Sequence, residues 1–223
     1  MSMSPSTAPR RRRWPLVLVA VTLAAIAAIA IRPLREPVLQ AAGWALVVSE
    51  PVAPADVIVL SLDSGGAGAL EAADLVRGGI AKRVAVFLDP PSGEDLEFIR
   101  RGLPYEDASA RQVRQLRSLG VTDIMQISGP DAGTEEESNV LPAWCKEHHI
   151  RSMVFIVAKD HSRRARRALE RAMKGSGVRF MVQPARYSSF DPDRWWQSRG
   201  GIRIALIELQ KLLLDLIRHP LPN

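Results

Sequence analysis

The stretch "FIVAKDHSRRARRALERAM", residues 155 to 173, passes from an apolar run into Lys159, Asp160 and His161 and then into a dense arginine cluster. Asp160 or Ser162 can cap a helix there, and its first turns then carry Arg163, Arg164, Arg166 and Arg167. Cations at a helix N-terminus oppose the dipole, so this placement asks for an offsetting anion. A bound anion would meet backbone amides, Lys159, His161 and Arg163 or Arg164 at one point. The competing reading is a solvated face on which Glu170 pairs with Arg166 or Arg167. His161, with an unperturbed pKa suited to proton transfer, is the candidate general acid or base.

Two further stretches carry polar residues where a ligand would lie. "SLDSGGAG" (61 to 68) offers Asp63 as one wall, with Gly65 and Gly66 allowing close backbone approach; a tight turn explains the same glycines. "SGPDAGTEEES" (128 to 138) offers Thr134, Glu135, Glu136 and Ser138. Thr134 and Glu137 fit a capping box, and Glu135 and Glu136 suit the first turn of a helix. In the functional reading Glu136 orients a polar group or joins His161 in proton transfer, and Glu135 and Ser138 complete the contact.

These residues are positioned by a regular alternation. Short β-branched or apolar runs at 56–62, 83–88, 124–128, 152–158 and 179–185 read as strands. Amphipathic segments at 68–79, 108–120, 134–149 and 162–176 read as the helices between them. Strands separated by helix-length segments imply right-handed crossovers, hence a Rossmann-like α/β domain over 55–223 with about five parallel strands and helices on both faces. Ligands in such sheets bind beyond the carboxyl ends of the strands, where all three stretches fall. Residues 89–107 exceed a normal connecting loop, which marks them as functional candidates. In the C-terminal segment Ile202, Leu206, Leu209, Leu213 and Ile217 share one helical face; a helix packed on the sheet through that face is expected, and a docking surface near a membrane is the alternative.

Composition narrows the function classes. The 223-residue chain is 47% hydrophobic, enough for a real core, and carries a net charge of +6. Six arginines and no acid lie within residues 1–35; removing those six from the 30 basic residues leaves 24, matched by 24 acidic residues. A balanced body argues against nucleic acid as a partner. Cys145 is the single cysteine, so intramolecular disulfides and four-thiolate zinc sites are excluded; Glu147, His148 and His149 lie nearby, but no metal site is expected. No cofactor is specified.

The segment Trp14 to Ile31 contains no charge and would measure roughly 27 Å as a helix, just enough to cross a bilayer. Arg10 to Arg13 precede it, which places a basic tail (1–13) in the cytoplasm, a single transmembrane anchor at 14–31 in the inner membrane, and the domain outside. A cleaved signal peptide is the competing reading. Residues 32–54, with Pro33, Pro37, Pro51 and Pro54, read as a linker.

Three ordered motifs resemble the YdcF-like family of envelope proteins over roughly residues 54–218. "AKDHSRRA" matches at His161, Arg164 and Ala165; "GTEEES" at Thr134, Glu136 and Ser138; "RWWQSRGGIRIALIELQKLL" at Trp195, Trp196, Glu208, Lys211 and Leu212. The resemblance implies a Rossmann-like domain, often membrane-anchored, and a link to envelope or peptidoglycan biogenesis. The family also includes a cytosolic member that binds S-adenosylmethionine, a cofactor that an exported domain would not meet. The chain departs from the family pattern after the second strand, where it has "FLDPPSG", and at the start of the first helix, where it has "GAGALEAAD". The expected ligand is an anionic, phosphorylated or lipid-linked envelope precursor. The alternative is a non-catalytic scaffold that binds envelope-synthesis proteins through Trp195, Trp196 and the C-terminal helix.

Overall fold

The computed structural model of the chain describes residues 32–128 and 133–220, together with Val17 and Val19. The remaining positions of the expected anchor at 14–31 lie outside the described residues, as does the tail at 1–13. Among the described residues no helix is long and apolar enough to cross a membrane. The chain divides into two compact units, residues 1–41 and 42–223.

Within the linker at 32–54, residues 32–44 form helix α1 (Arg32–Trp44), with Pro37 inside it. The run Leu39 to Ala42 favours helix strongly enough to outweigh one internal proline.

The larger unit contains β1 (Val57–Leu60), α2 (Gly65–Arg77), β2 (Arg83–Phe87), α3 (Gly93–Arg100), α4 (Ala108–Ser118), β3 (Asp123–Ile127), α5 (Thr134–Glu147), β4 (Ser152–Val157), α6 (Ser162–Ala172), β5 (Arg179–Pro184) and α7 (Arg199–Arg218). All strands are parallel and ordered β3-β2-β1-β4-β5. β1 alternates between two cores. Val57 and Val59 face α5 and α6 through Leu141, Cys145, Ala165 and Leu169. Ile58 and Leu60 face α2 and α4 through Ala69, Ala72, Ala73 and Leu116. Both faces are covered, which is why the strands read as continuous apolar runs.

The stretch 89–107 is not a plain loop. Ser92 and Asp95 form a reciprocal capping box that starts α3, a helix with no buried residue.

α7 corrects a second expectation. Its buried positions are Ala205, Glu208 and Leu212, while Ile202, Leu206, Leu213 and Ile217 of the expected packing face are exposed. The inward side carries two acids because α6 presents arginines to it: Arg164 reaches Glu208, and Arg167 and Arg171 reach Asp215. Trp195 is buried and Trp196 meets it edge-on at 6.0 Å, so this pair packs at the entry of α7 and is no exposed aromatic anchor.

Candidate functional site

In a sheet ordered 3-2-1-4-5 the connections run outward from β1 through β2 to β3, then return to lay β4 on the other side of β1. The crevice beyond the carboxyl ends of β1 and β4 is the topological switch point. Two single-turn 3₁₀ segments end these strands there, Leu62–Ser64 after β1 and Lys159–His161 after β4. They converge on a cavity of about 360 Å³ whose lining includes Asp63, Ser64, Asp160, His161, Ser188 and Ser189, with Arg203, Ile204, Ile207 and Glu208 contributed by α7.

His161 sits at the centre of a carboxylate cluster. Its Nε2 is 3.2 Å from Asp63 Oδ2. Its Nδ1 is 2.8 Å from Glu208 Oε2 and 3.3 Å from Asp160 Oδ2. Neither contact to Nδ1 has the angle of a proper hydrogen bond, so this edge is held by charge rather than by a directed bond. Burial alone would push the imidazole pKa down; Glu208, Asp63 and Asp160 outweigh it, and the net shift is upward.

Each carboxylate has a different environment. Burial would raise Glu208, but His161, Lys211 at 2.7 Å and Arg164 at 3.1 Å hold it down at about 2. Asp160 is buried and raised, burial exceeding the opposing pull of His161. Asp63 Oδ1 accepts from Ser61 Oγ at 2.7 Å, which fixes the carboxylate for its second oxygen to face the imidazole. Behind Asp63 lies Glu137, almost fully buried: its Oε1 accepts from Leu62 N at 3.0 Å, while Oε2 has no partner among the described residues. Burial pushes Glu137 up to about 7.

The structure redistributes the residues expected at this site. Asp63, Asp160 and His161 are brought together in the cavity. Arg164 reaches it indirectly, through Glu208. Arg163 does not: its guanidinium donates to the carbonyls of Ala45 and Val47, and its amide donates to Leu46 O at 3.0 Å. That loop consumes a helix-start amide meant for an anion. Lys159 N is likewise taken by Ser188 Oγ at 3.4 Å, and Ala158 N faces Asp63 Oδ1 at 3.5 Å. The neighbouring arginines are also paired, Arg166 with Glu50 and Glu170 and Arg167 with Asp215. Acidic partners from distant segments supply the compensation that the dipole argument assigned to a ligand.

Neither expected cap forms. His161 occupies the cap position without a side-chain bond, and Ser162 Oγ instead donates to Lys159 O and accepts from Val48 N. Likewise Gly133, at a φ of 112°, precedes α5 where Thr134 was the expected cap; Thr134 is the first helical residue and Glu137 turns inward to Leu62. Ser138 Oγ bonds back to Thr134 O at 2.7 Å. Glu135 and Glu136 are exposed: the first borders a separate groove with Arg164, Arg171 and Lys211, and the second lies against Gly133. Thr134, Glu135, Glu136 and Ser138 therefore do not line the cavity.

Gly65 and Gly66 do not line it either. Gly65 is required by its backbone, at a φ of 49°, and Gly66 faces Gln115. The close approach belongs to Gly68, where a Cβ would fall 2.1 Å from Ser64 Oγ. Arg203, Ser188 and Ser189 were not anticipated, and no local pattern marks them. Glu208 and Lys211 entered only through the C-terminal motif. Elsewhere, burial pushes the Cys145 thiol up to about 11, and His148 tilts over Trp144 at 4.9 Å. Among the described residues no group of three or more His, Cys, Asp and Glu side chains has the arrangement of a metal site.

Fold and site together define a Rossmann-like α/β domain with an imidazole–carboxylate cluster at its switch point. No family model and no curated protein matches the chain. Among solved structures it is similar to HcgE from Methanothermobacter marburgensis with guanylylpyridinol and ATP bound, at 12% identity and a TM-score of 0.31, over 78% of this chain and 100% of that one.

Proposed function

We propose that the chain is a single-pass inner-membrane protein, cytoplasmic at its N-terminus, whose extracytoplasmic domain binds an anionic, phosphorylated cell-envelope precursor in support of envelope or peptidoglycan biogenesis. The observation that carries the reading is His161 held between Asp63 and Glu208 at the wall of the switch-point cavity. An imidazole in that setting exchanges a proton with a bound hydroxyl or phosphate more readily than a solvated one. The anion contact moves from the expected Arg164 to Arg203, which lines the cavity and has no ion-pair partner among the described residues. Ser188, Ser189 and the free faces of Asp63 and Asp160 suit the hydroxyls of a sugar. The anchor assignment rests on the uncharged run at 14–31 and its preceding arginines.

Calorimetric titration of the purified full-length protein with N-acetylglucosamine 1-phosphate and with the unphosphorylated sugar tests the site. The phosphorylated sugar should bind more tightly, Arg203→Ala should remove that preference, and His161→Ala should fail to complement an envelope defect while keeping the fold. Equal binding of both sugars, together with full complementation by His161→Ala, would defeat the reading. A reporter fused at the C-terminus tests the topology: activity only on the cytoplasmic side would reverse it.

A further inference from the structure

We propose that α7 is a lipid-docking helix that lays its solvent-facing side on an anionic bilayer surface. Helix positions 202, 206, 209, 213, 216 and 217 fall on one contiguous arc. Leu206, Leu213 and Ile217 are 52%, 58% and 66% exposed, and Ile202 and Leu216 are also open to solvent. The stripe runs from the first turn to the last, roughly 22 Å at 1.5 Å per residue. An uncovered apolar strip of this length along one helix marks an interaction surface.

Charge selects the occupant. The only acids of α7, Glu208 and Asp215, are turned inward and bound to α6 arginines. The exposed side therefore carries no acid, and Arg199 and Arg203 lie beside the apolar strip. Leucine and isoleucine on one arc, arginines beside them and no exposed acid match a helix lying in a bilayer interface, its apolar side about 5–10 Å into the headgroup boundary. The same helix borders the switch-point cavity through Arg203, Ile204 and Ile207. Docking would thus bring the cavity rim to the lipid headgroups, where a lipid-linked ligand resides. This inference does not depend on the fate of residues 14–31, because the readout below is local to α7.

Spin labelling of the full-length protein tests it. Leu206→Cys and Leu213→Cys place a nitroxide on the strip, and Arg117→Cys places one on the exposed side of α4. The native Cys145 is fully buried with a raised pKa and does not compete for the label. The probes are vesicles of phosphatidylethanolamine with phosphatidylglycerol and, separately, vesicles of phosphatidylcholine. In the anionic vesicles the labels at 206 and 213 should gain oxygen accessibility and lose nickel-chelate accessibility severalfold, while the label at 117 stays water-exposed. Arg199→Glu should reduce that shift, as should the neutral vesicles. Labels at 206 and 213 that remain as nickel-accessible as the one at 117 would overturn the proposal. Dipolar broadening between copies would overturn it in favour of a self-association face, and equal burial in neutral vesicles would remove its electrostatic basis.

Discussion

The seam between α6 and α7 and the edge beyond β1 and β4 both gather several carboxylates, yet these are compensated very differently. In the seam each acid has more than one cation: Asp215 takes Arg167 and Arg171, and Glu208 takes Arg164, Lys211 and His161. At the edge, Asp63 and Asp160 share His161, and Glu137 has a single backbone donor. The seam has settled its electrostatics internally, and its residues serve to hold two helices together. The edge has not: burial raises Asp160, and it pushes Glu137 up to about 7, the kind of perturbation that gathers at functional sites. Glu208 belongs to both, which makes it the joint between stability and site.

The sharpest way to break this contrast is Glu208→Ala, which leaves Arg164, Lys211 and His161 without their shared partner. Loss of one member of a buried ion cluster costs about 3–5 kcal/mol, and urea denaturation should show it. Because Glu208 is depressed to about 2, its stabilising contribution is complete above the ordinary carboxyl value of 4.5 and disappears as pH falls from there towards 2. The variant should lose that segment of the wild-type acid sensitivity.

Glu137→Gln should act in the opposite direction. A carboxyl raised from 4.5 to about 7 favours the fold below 4.5 and loses that contribution as pH climbs to about 7. The amide keeps an oxygen for Leu62 N and carries no charge, so it should stabilise the protein above pH 7, by on the order of 3 kcal/mol. Melting curves at acid and alkaline pH check the sign: a gain confined to the alkaline side supports the contrast, and a loss there would mean that Glu137 is charged and compensated.

In the seam itself, Asp215→Asn strips Arg167 and Arg171 of a charged acceptor and should cost about 2 kcal/mol without altering proton exchange at the site. Asp63→Asn should do the reverse. It removes one of the carboxylates that raise His161, so the imidazole pKa should fall in an NMR titration while the melting temperature changes little. In the wild type, the stability supplied by His161 is complete below its ordinary 6.5 and lost as pH rises through its raised value. Smallest of all is Arg100→Ala on α3: it deletes an exposed pair with Glu97, and thermal melts should not resolve the change.

The sheet was legible in the sequence because its strands are buried on both faces; "DVIVLSL" and "SMVFIVA" admit few other readings. His161 and Asp63 were legible for a topological reason, since they follow the two strands that flank the switch point. Helix ends and faces that meet distant partners were not legible in this way. Hydropathy assigned α7 the wrong face because its buried side is sealed by Glu208 and Asp215 against arginines of α6, 44 and 48 residues away in sequence for Arg164 and Arg167. The capping-box pattern assigned Glu137 to its own helix start, whereas Leu62, 75 residues upstream, captures it. Local grammar was satisfied in each case, and a tertiary partner then offered a better bond.

The fastening of residues 45–48 to the start of α6 has a mechanical consequence. Arg163 grips the carbonyls of Ala45 and Val47, Leu46 O receives the Arg163 amide, and Val48 N is held by Ser162 Oγ. Tension applied through the preceding segment would therefore enter the domain one residue from the imidazole. In a single-molecule pulling experiment, those bonds should be the first to rupture, and the turn carrying His161 should yield before the sheet does.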